Sequence, residues 1–549
     1  MPTGNVNTDQ TNLGPKVAAS QHPIYQLFRE TWVQLAHVRE GTGGFISMGN
    51  DSYIVAHPRE WLDHSVKQTE TAADGTQITT VRTNPNPKVA SPKLKARRRL
   101  ARYENVASAI MEEKRSVLFR EPPTRRVGEQ GAEPPADGLL AWWNDDVEGD
   151  GTCMDDAMPA WWDIGGTFGH VLLYFDVADA AEAATAADQG WPYVRAYTPL
   201  DVLDWHRDDR GRLDYLKLLE ATEPLPTLET RGVTTYRVRI VTTTSWALYD
   251  YKTGKYISRG DHGFGCVPAV YLFGKRRALL PDIGESVLGD PRNYIDLFNL
   301  TSEIRELLRN QTFSFVNLPL GTGPDAMSVQ DAQAMMGQQT GTMNVLFSAQ
   351  PAQILTGDPA NVASYHAEIE RVKREIYRET GVQWESDRKG VEAEGSVELK
   401  REDMITRVAA YADECEQAEY GLSMLWYLWR YGAADGATRY VNDQVVVHYP
   451  EHFAKTPFED VLNQAQAAIS IGMPAVFLKE LRKALVTKFE GMTNLPPEIL
   501  QKINDAIDNA PDDLSPAEQL RMKTEAMAKG LSAGGGAKPG AVPPKGAAA

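Results

Sequence analysis

The feature that most constrains the fold is a long, regular apolar repeat in the C-terminal half of the chain. Its members recur at alternating spacings of four and three residues between about Ser396 and Tyr431; they are Met404, Val408, Tyr411, Cys415, Ala418, Leu422, Leu425 and Trp429. This spacing is typical of one face of an α-helix. At 1.5 Å per residue, the helix would be roughly 50 Å long. A seam of that length needs neighbours along all of it, either a coiled-coil partner or helices of a larger assembly.

Two more helices are predicted on either side of a polar insert. Asp290-Pro291 is an N-cap followed by proline at the first helical position, and apolar residues then repeat at helical spacing up to Phe315. Asp358-Pro359 opens the second helix, which Gly381 ends. The segment between them, 317–357, is rich in Gly, Gln and Met and contains only short strand-like pieces.

The first half of the chain predicts a mixture of helices and strands. One amphipathic helix is expected over 94–119. Further helices are expected from residue 139 onward, and a short buried strand at 170–177 follows them. Residues 191–275 are rich in β-branched and aromatic residues and predict a β module with a hairpin turn at the KTG sequence. The fold class is therefore α+β, mainly helical. The first 20 residues and the last 20 (530–549) are expected to be disordered tails.

Charge and composition exclude several classes of protein. The formal net charge is −17, which disfavours tight binding of nucleic acid along the whole surface but allows a repulsive channel or local basic patches. The three cysteines are far apart, which argues against a zinc site or a disulfide framework. The first residues lack the basic region and the apolar stretch that are typical of a signal peptide, and no apolar run reaches the roughly 18 residues of a membrane span. We therefore expect a cytosolic or particle-bound soluble protein.

No catalytic signature is present, because the sequence lacks a P-loop, a G-x-S-x-G elbow and an HExxH helix. His366-Ala367-Glu368 resembles the start of a zinc-deaminase motif without its cysteines, so a surface histidine is favoured. Adjacent acids are interpreted as solvated loop residues rather than metal ligands; they are Asp145-Asp146, Asp155-Asp156 and Asp208-Asp209. The pairs Trp142-Trp143 and Trp161-Trp162 favour core or subunit-interface packing over base stacking.

Two charged segments stand out. The dense basic run comprises Lys93, Lys95, Arg97, Arg98, Arg99 and Arg102. It could contact nucleic acid or an acidic neighbouring chain, and a solvated helix face is an equally good interpretation. The second segment is the glycine-punctuated loop 381–395, in which Arg388 and Lys389 lie among acids.

The order of these parts, more than any motif, resembles the portal proteins of tailed bacteriophages, specifically a portal-like family often described as conserved phage head proteins. The segments YENVASAIMEEKRSVLFREPP, DVLDWHRD, GRLDYLKLLE and GESVLGDPRNYIDLFNLTSEIRE are similar to parts of that family. The resemblance covers roughly residues 20–510 and includes no single diagnostic motif.

The resemblance implies a portal fold. Its parts would be a wing (21–289), stem helices (290–316 and 358–380), a clip (317–357), a tunnel loop (381–395), a long wing helix (396–432) packed in the ring, and a crown (433–529). It also implies a ring of twelve subunits at one capsid vertex, which conducts double-stranded DNA during packaging and ejection. Portals have no enzymatic activity and need no cofactor.

The resemblance also implies partners and contact surfaces. Terminase, and later a head–tail adaptor or tail protein, would dock on the clip, and major capsid or scaffold protein would contact the ring within the virion. The DNA-facing tunnel-loop residues would be Trp384, Arg388, Lys389, Glu392 and Glu394. The clip docking surface would include Gln330, Gln333, Met335, Gln338 and Gln339. The seam of Met404, Val408, Tyr411, Leu422, Leu425 and Trp429 would lie between subunits.

Two alternatives stay open at this point. One is another structural head protein without a channel, such as a minor capsid protein or an assembly factor. The other is a DNA-processing enzyme whose site the sequence does not reveal, with Asp208 and Asp209 as candidate metal ligands.

Overall fold

The computed structural model describes most of the chain in separate ranges. These are 12–56, 65–71, 77–83, 92–128, 138–177, 190–222, 234–312, 315–319, 344–348, 353–355, 359–382, 394–450, 466–467, 471, 475–488 and 497–509. The chain divides into two compact units, Met1–Phe453 and Ala454–Ala549. Helices and strands are mixed throughout the first unit, so the fold is α+β.

The first unit contains nine of the described helices. They are α1 (Pro15–Ala18), α2 (Pro23–Glu40), α3 (Pro92–Leu100), α4 (Val106–Leu118), α5 (Leu139–Asp145), α6 (Met154–Phe168), α7 (Pro291–Thr312), α8 (Pro359–Thr380) and α9 (Glu394–Asn442). The strands are β1 (Ser65–Thr71), β2 (Gln77–Thr83), β3 (Thr124–Arg126), β4 (His170–Val177), β5 (Pro192–Tyr197), β6 (Val202–Arg207), β7 (Leu213–Thr222), β8 (Thr235–Thr242), β9 (Ser245–Asp250), β10 (Tyr256–Asp261), β11 (Ala269–Phe273), β12 (Phe315–Pro319), β13 (Asn344–Ser348), β14 (Gln353–Leu355) and β15 (Val446–His448).

Two antiparallel sheets organise the first unit. Strands β4 and β5 pair with each other, and β11 pairs on the other side of β4. Strands β6 to β10 form a five-stranded meander, in which the KTG turn joins β9 to β10 as predicted. Strand β4 lies before the predicted β module in the sequence, but it belongs to the smaller, three-stranded sheet together with β5 and β11. The four tryptophans of the two pairs are at most 1% exposed, which confirms the core interpretation.

A buried histidine ties helix α2 to the smaller sheet. His170 on β4 is 1% exposed, its Nδ1 accepts the amide of Gly284, and its Nε2 lies 2.8 Å from the Tyr25 hydroxyl. Because Nδ1 is an acceptor, the ring proton is on Nε2 and is donated to Tyr25. Burial, and to a lesser degree the nearby Arg277 charge, lowers the pKa of His170 to about 3. The ring is therefore neutral in the folded protein near neutral pH.

Residues 12–20 of the expected N-terminal tail are described, and they are folded against the first unit. Ala18 in α1 is fully buried, and Leu13 packs against the core of the five-stranded sheet. The buried Lys217 donates from Nζ to the Val17 carbonyl at 2.6 Å and to the Ser20 carbonyl at 2.9 Å. The prediction of disorder through residue 20 is wrong for 12–20, because a lysine more than 190 positions away holds the carbonyls at the end of this short helix.

The single helix predicted over 94–119 is two helices, α3 and α4, separated by residues 101–105. Asn105 caps α4 by accepting the Ser108 amide at 3.0 Å. Tyr103 stacks on Phe45 at 4.0 Å and donates to the Val38 carbonyl. These tertiary contacts replace the helical hydrogen bonds that a continuous helix would have made.

The long helix α9 is present, but its apolar seam is buried within its own chain. Val408, Tyr411, Leu422 and Leu425 are at most 5% exposed, and Met404 and Trp429 pack partly buried against the same core. Helix α9 contacts β11, α4 and β15 of the same chain. Gly421 allows a close approach to β11, since a Cβ atom there would lie 2.9 Å from a Val270 methyl group. The predicted inter-subunit seam is therefore an intramolecular core.

The first unit extends beyond residue 432, where the long helix was predicted to end. Gly432 has φ +80° and ψ 164°, which interrupts α9 near its predicted end. The chain then continues through a further helical segment to β15, which pairs antiparallel with β3. Residues 433–450 thus belong to the first unit and not to a separate crown.

A buried ion pair fixes this extension. Arg125 on β3 donates from Nε and Nη2 to the two carboxylate oxygens of Glu419 at 2.7 and 2.9 Å. Glu419 is fully buried and also accepts the Tyr449 hydroxyl, while Asp155 accepts from Arg125 at the surface end. Burial alone would lower the pKa of Arg125, but the two carboxylates raise it above its usual value.

The second unit contains two described helices, α10 (Ala475–Lys488) and α11 (Pro497–Asp508). Each begins at or directly after a proline, as the sequence predicts. Lys483 forms an ion pair with Asp508 at 2.7 Å, and Lys479 donates to the Asp508 carbonyl.

Candidate functional site

Helices α7 and α8 form an antiparallel pair. The Asn293 amide donates to Glu379 at 3.1 Å near one end, and Tyr365 donates to Glu303 at 3.3 Å further along. Residue numbers rise along α7 while those of their partners fall along α8, which establishes the antiparallel register. We call these two helices the hairpin and its end near Asn293 the base.

The base of the hairpin begins at a well-formed N-cap. Asp290 accepts the Arg292 amide at 3.0 Å and pairs with the Arg292 guanidinium. These hydrogen bonds lower the pKa of Asp290 below its usual value. The buried Tyr294 donates to the Leu288 carbonyl. Proline at the first position and an ionised cap thus start α7 where the sequence predicts.

Several polar contacts fasten the returning helix to the body. Gly381 ends α8 with φ +73°, and Arg407 of α9 donates to the Glu379 carbonyl at 2.8 Å. Lys373 pairs with Glu104 at 2.8 Å, between α8 and the segment before α4. These contacts involve the terminal turns of α8 and lie toward the base, so the hairpin is anchored there.

The segment of the chain between α7 and α8 contains a small sheet. Strand β12 follows α7 after two residues, pairs in parallel with β13, and pairs antiparallel with β14. The predicted clip (317–357) therefore contains a three-stranded sheet. The docking residues Gln330, Gln333, Met335, Gln338 and Gln339 lie outside the described residues.

The predicted tunnel loop also lies largely outside the described residues. Trp384, Arg388, Lys389 and Glu392 are among these, and their role stays a prediction. Glu394 is the first residue of α9, which begins two residues earlier than the predicted start at Ser396; its side chain is outside the described part.

The basic run on α3 is not one continuous basic surface. Arg97 and Arg98 are 8% and 7% exposed, and they donate to the carbonyls of Val55 and Met48. Lys95 and Arg99 are exposed, whereas the side chain of Lys93 is outside the described part. The prediction that this run could be a contact patch is therefore wrong for Arg97 and Arg98, which hold a neighbouring loop.

One member of each acidic pair has a structural partner. The Asp146 carboxylate accepts the amides of Gly149 and its neighbours, Asp155 pairs with Arg125, and Asp208 pairs with Arg212. His366 is on the exposed surface of α8, as predicted. Among the residues the structure describes, no three His, Cys, Asp or Glu side chains come together as a metal site would require.

Two clefts border the hairpin, and sequence reasoning identified neither. The larger, about 730 Å³, lies at the base among α2, α7, α8 and α9 and carries mixed charges, including Glu30, Lys275, Arg277 and Asp290. The smaller, about 280 Å³, lies between α3 and α7 and is lined by Ala96, Arg97, Leu100, Ala101, Ser302, Arg305, Glu306 and Arg309. We call the latter the α3–α7 cleft. Neither cleft combines a nucleophile, a base and an orienting group.

The described helices include none that is both long enough and apolar enough to cross a bilayer.

Comparison with known proteins gives little further identification. No family model matches the sequence, and no curated protein matches it. Among solved structures, the chain is similar to one described as the neck of an empty GTA particle computed with C6 symmetry. That similarity covers 68% of this chain and 90% of the other, with 9% sequence identity and a TM-score of 0.36. A similarity of this size does not establish a common fold.

Proposed function

We propose that this chain is a portal-like subunit of a tailed bacteriophage. A ring of such subunits, with twelve as the expected number, would occupy one capsid vertex at the head–tail junction. It would conduct double-stranded DNA during packaging and ejection, and offer a docking platform to terminase and then to a head–tail adaptor. In this proposal the protein is structural and has no enzymatic activity.

The observation that carries the proposal is the anchored hairpin. An α+β body leads into α7, then into a small sheet, then back through α8 to the body and on to the long helix α9. Contacts from Asn293, Lys373 and Arg407 hold the hairpin toward its base. This is the order of wing, stem, clip, stem and long helix that the sequence resemblance implies.

The chain's charge fits a conduit. With a formal charge of −17 per copy, a ring would multiply the negative field around its opening. Phosphates would be repelled from most of the wall, so DNA could pass without adhering. Local cations would be needed only where DNA is to be held.

The proposal is tested by light scattering and negative-stain electron microscopy of the purified protein, alone and with capsid protein. Rings with a central opening are expected. Closed particles without an opening would favour a head protein that has no channel. A monomer that persists at high concentration and in the presence of capsid protein would overturn the proposal.

A further inference from the structure

The N-terminal stretch crosses the five-stranded sheet from one edge to the other. On β6, the first strand of the meander, the Leu203 carbonyl accepts the His22 amide at 2.7 Å. On the neighbouring strand β7, Lys217 binds the end of α1 through its ammonium group. On β10, the last strand of the meander, the Tyr256 amide donates to the Asn12 side chain at 3.0 Å. Residues 12–22 therefore lie across the sheet and reach both of its edges.

The outer side of β10 is an open sheet edge in the part of the chain that the structure describes. Strand β10 is the last in the sheet order, so no other described strand pairs with that side. The His262 amide points inward and donates to the Thr244 carbonyl at 2.8 Å. Because amide directions alternate along an extended strand, the backbone groups of Arg259 and Asp261 point outward. Such an edge is a template for another strand, and native proteins usually cover it.

Asn12 lies on this open side of β10. The Asp250 amide of β9 donates to the Lys255 carbonyl at 2.8 Å. The backbone groups of Lys255 therefore face β9, and those of the next residue, Tyr256, face away from it. Since Asn12 accepts the Tyr256 amide, it occupies the position at which an added strand would lie.

Two successive contacts show the direction in which the chain runs along the edge. The Leu13 carbonyl packs against Gly254 so closely that a Cβ atom there would not fit. One residue earlier in the sequence, Asn12 reaches Tyr256. Residue numbers fall along the N-terminal stretch while they rise toward β10. The stretch therefore runs antiparallel to β10 where it leaves the described part of the chain.

We propose that residues 1–11 of the same chain form an added strand on the outer edge of β10, antiparallel to it. A straight continuation from Asn12, one residue against one, places Gln10 opposite Ser258 and Asp9 opposite Arg259. Opposite charges on directly opposed residues stabilise an antiparallel pair. The inference does not depend on the proposed ring.

The length and composition of the segment fit this edge. Residues 7–11 are sufficient to follow β10 from Ile257 to Asp261, since five residues of a strand extend about 17 Å. The only proline among the first eleven residues is Pro2, so each of these five can donate its amide to the ladder. A strand from a second copy is a less suitable occupant, because Asn12 keeps residues 1–11 tethered beside the edge at a high effective concentration.

The first test is hydrogen exchange measured by mass spectrometry on the full chain and on a variant that lacks residues 2–11. Peptides that contain β10 are expected to exchange roughly tenfold faster in the variant, because the outward amides lose their hydrogen bonds. Peptides that contain β4 should exchange at the same rate in both, and deletion of residues 530–549 is the control at the other terminus. Unchanged exchange of β10 in a truncated chain whose β4 stays protected would overturn the inference.

The second test is cross-linking in the full-length chain, with Gln10→Cys and Ser258→Cys combined. The backbone groups of Ser258 face β9, so this pair is a position without hydrogen bonds across the outer edge, where opposed side chains are close enough for a disulfide. A disulfide within one chain is expected in peptide digests after oxidation of dilute protein.

The matched control for cross-linking combines Gln10→Cys with Arg212→Cys, at a side chain that is 70% exposed beside the opposite edge of the sheet. This pair should not cross-link, and the single variants control for the native cysteines. A disulfide between two chains would assign the edge to a second copy and overturn the inference. The absence of any disulfide in the Gln10→Cys, Ser258→Cys variant would also overturn it.

Discussion

The substitution Leu422→Ala separates the two interpretations of the long helix most clearly. Leu422 is fully buried on the face of α9 that packs within the chain. Removing three buried carbon atoms costs about 2.4 kcal/mol at roughly 0.8 kcal/mol each. The cavity left behind raises typical Leu→Ala costs to about 2–5 kcal/mol.

The position of Leu422 argues for the upper part of that range. At the neighbouring Gly421, a Cβ atom would lie 2.9 Å from a Val270 methyl group, so α9 already packs closely on β11 and has little room to move inward. We expect the free energy of unfolding to fall by about 3–4 kcal/mol.

The assay is urea denaturation of dilute, monomeric protein, followed by circular dichroism. Leu27→Ala, at a side chain that is 79% exposed, is the control and should change the free energy of unfolding by less than about 0.5 kcal/mol. If Leu422→Ala unfolds at the same urea concentration as the wild type and yet fails to form rings, the seam lies between subunits and the intramolecular assignment is wrong.

Three other predictions concern the ion pair, the buried histidine and the charged loop. Glu419→Gln leaves Arg125 buried with less charge compensation, and should lower the free energy of unfolding in denaturation by about 3 kcal/mol; Glu285→Gln, at an exposed pair, should change it by less than about 1 kcal/mol. His170 takes up a proton near pH 6.5 when unfolded but only near pH 3 when folded, so its contribution to stability is full above pH 6.5 and falls by up to about 1.4 kcal/mol per pH unit below it. His170→Gln should weaken this acid dependence in denaturation midpoints, and identical slopes would refute the assignment. Deleting 387–394 should leave rings intact on micrographs while DNA packaging fails; unchanged packaging would make the loop a simple linker.

The elements with strong local signals were predictable from the sequence. The Asp-Pro pairs at 290–291 and 358–359 and Gly381 act through nearby backbone groups, so they located the ends of α7 and α8 well. The alternating pattern of β9 and β10 and the KTG turn residues likewise located the two-stranded β-turn unit that these strands form.

What the sequence could not supply was the identity of distant partners. The repeat from Met404 to Trp429 shows that one face of α9 is buried, but periodicity does not distinguish a strand of the same chain from a neighbouring subunit. Arg97 and Arg98 looked like a solvated or ligand-binding run because their acceptors are carbonyls some 40 to 50 residues away. Tyr103 and Asn105 broke the helix at 101–105 through similar long-range contacts.

The α3–α7 cleft was missed for the same reason. Ser302, Arg305 and Arg309 looked like ordinary positions on an amphipathic helix, and only the packing of α3 beside them creates a groove. An Arg pair at helical spacing next to a buried serine is a weak local signal, since most such pairs are simply solvated.

The most direct test of the central claim is a reconstruction of the assembled particle by single-particle electron microscopy. If the chain is a portal-like subunit, α7 and α8 of every copy will surround the central opening, with the body containing the β sheets outside them. A reconstruction in which the hairpin lies on the outer rim, or in which the particle has no opening wide enough for double-stranded DNA, would contradict the account.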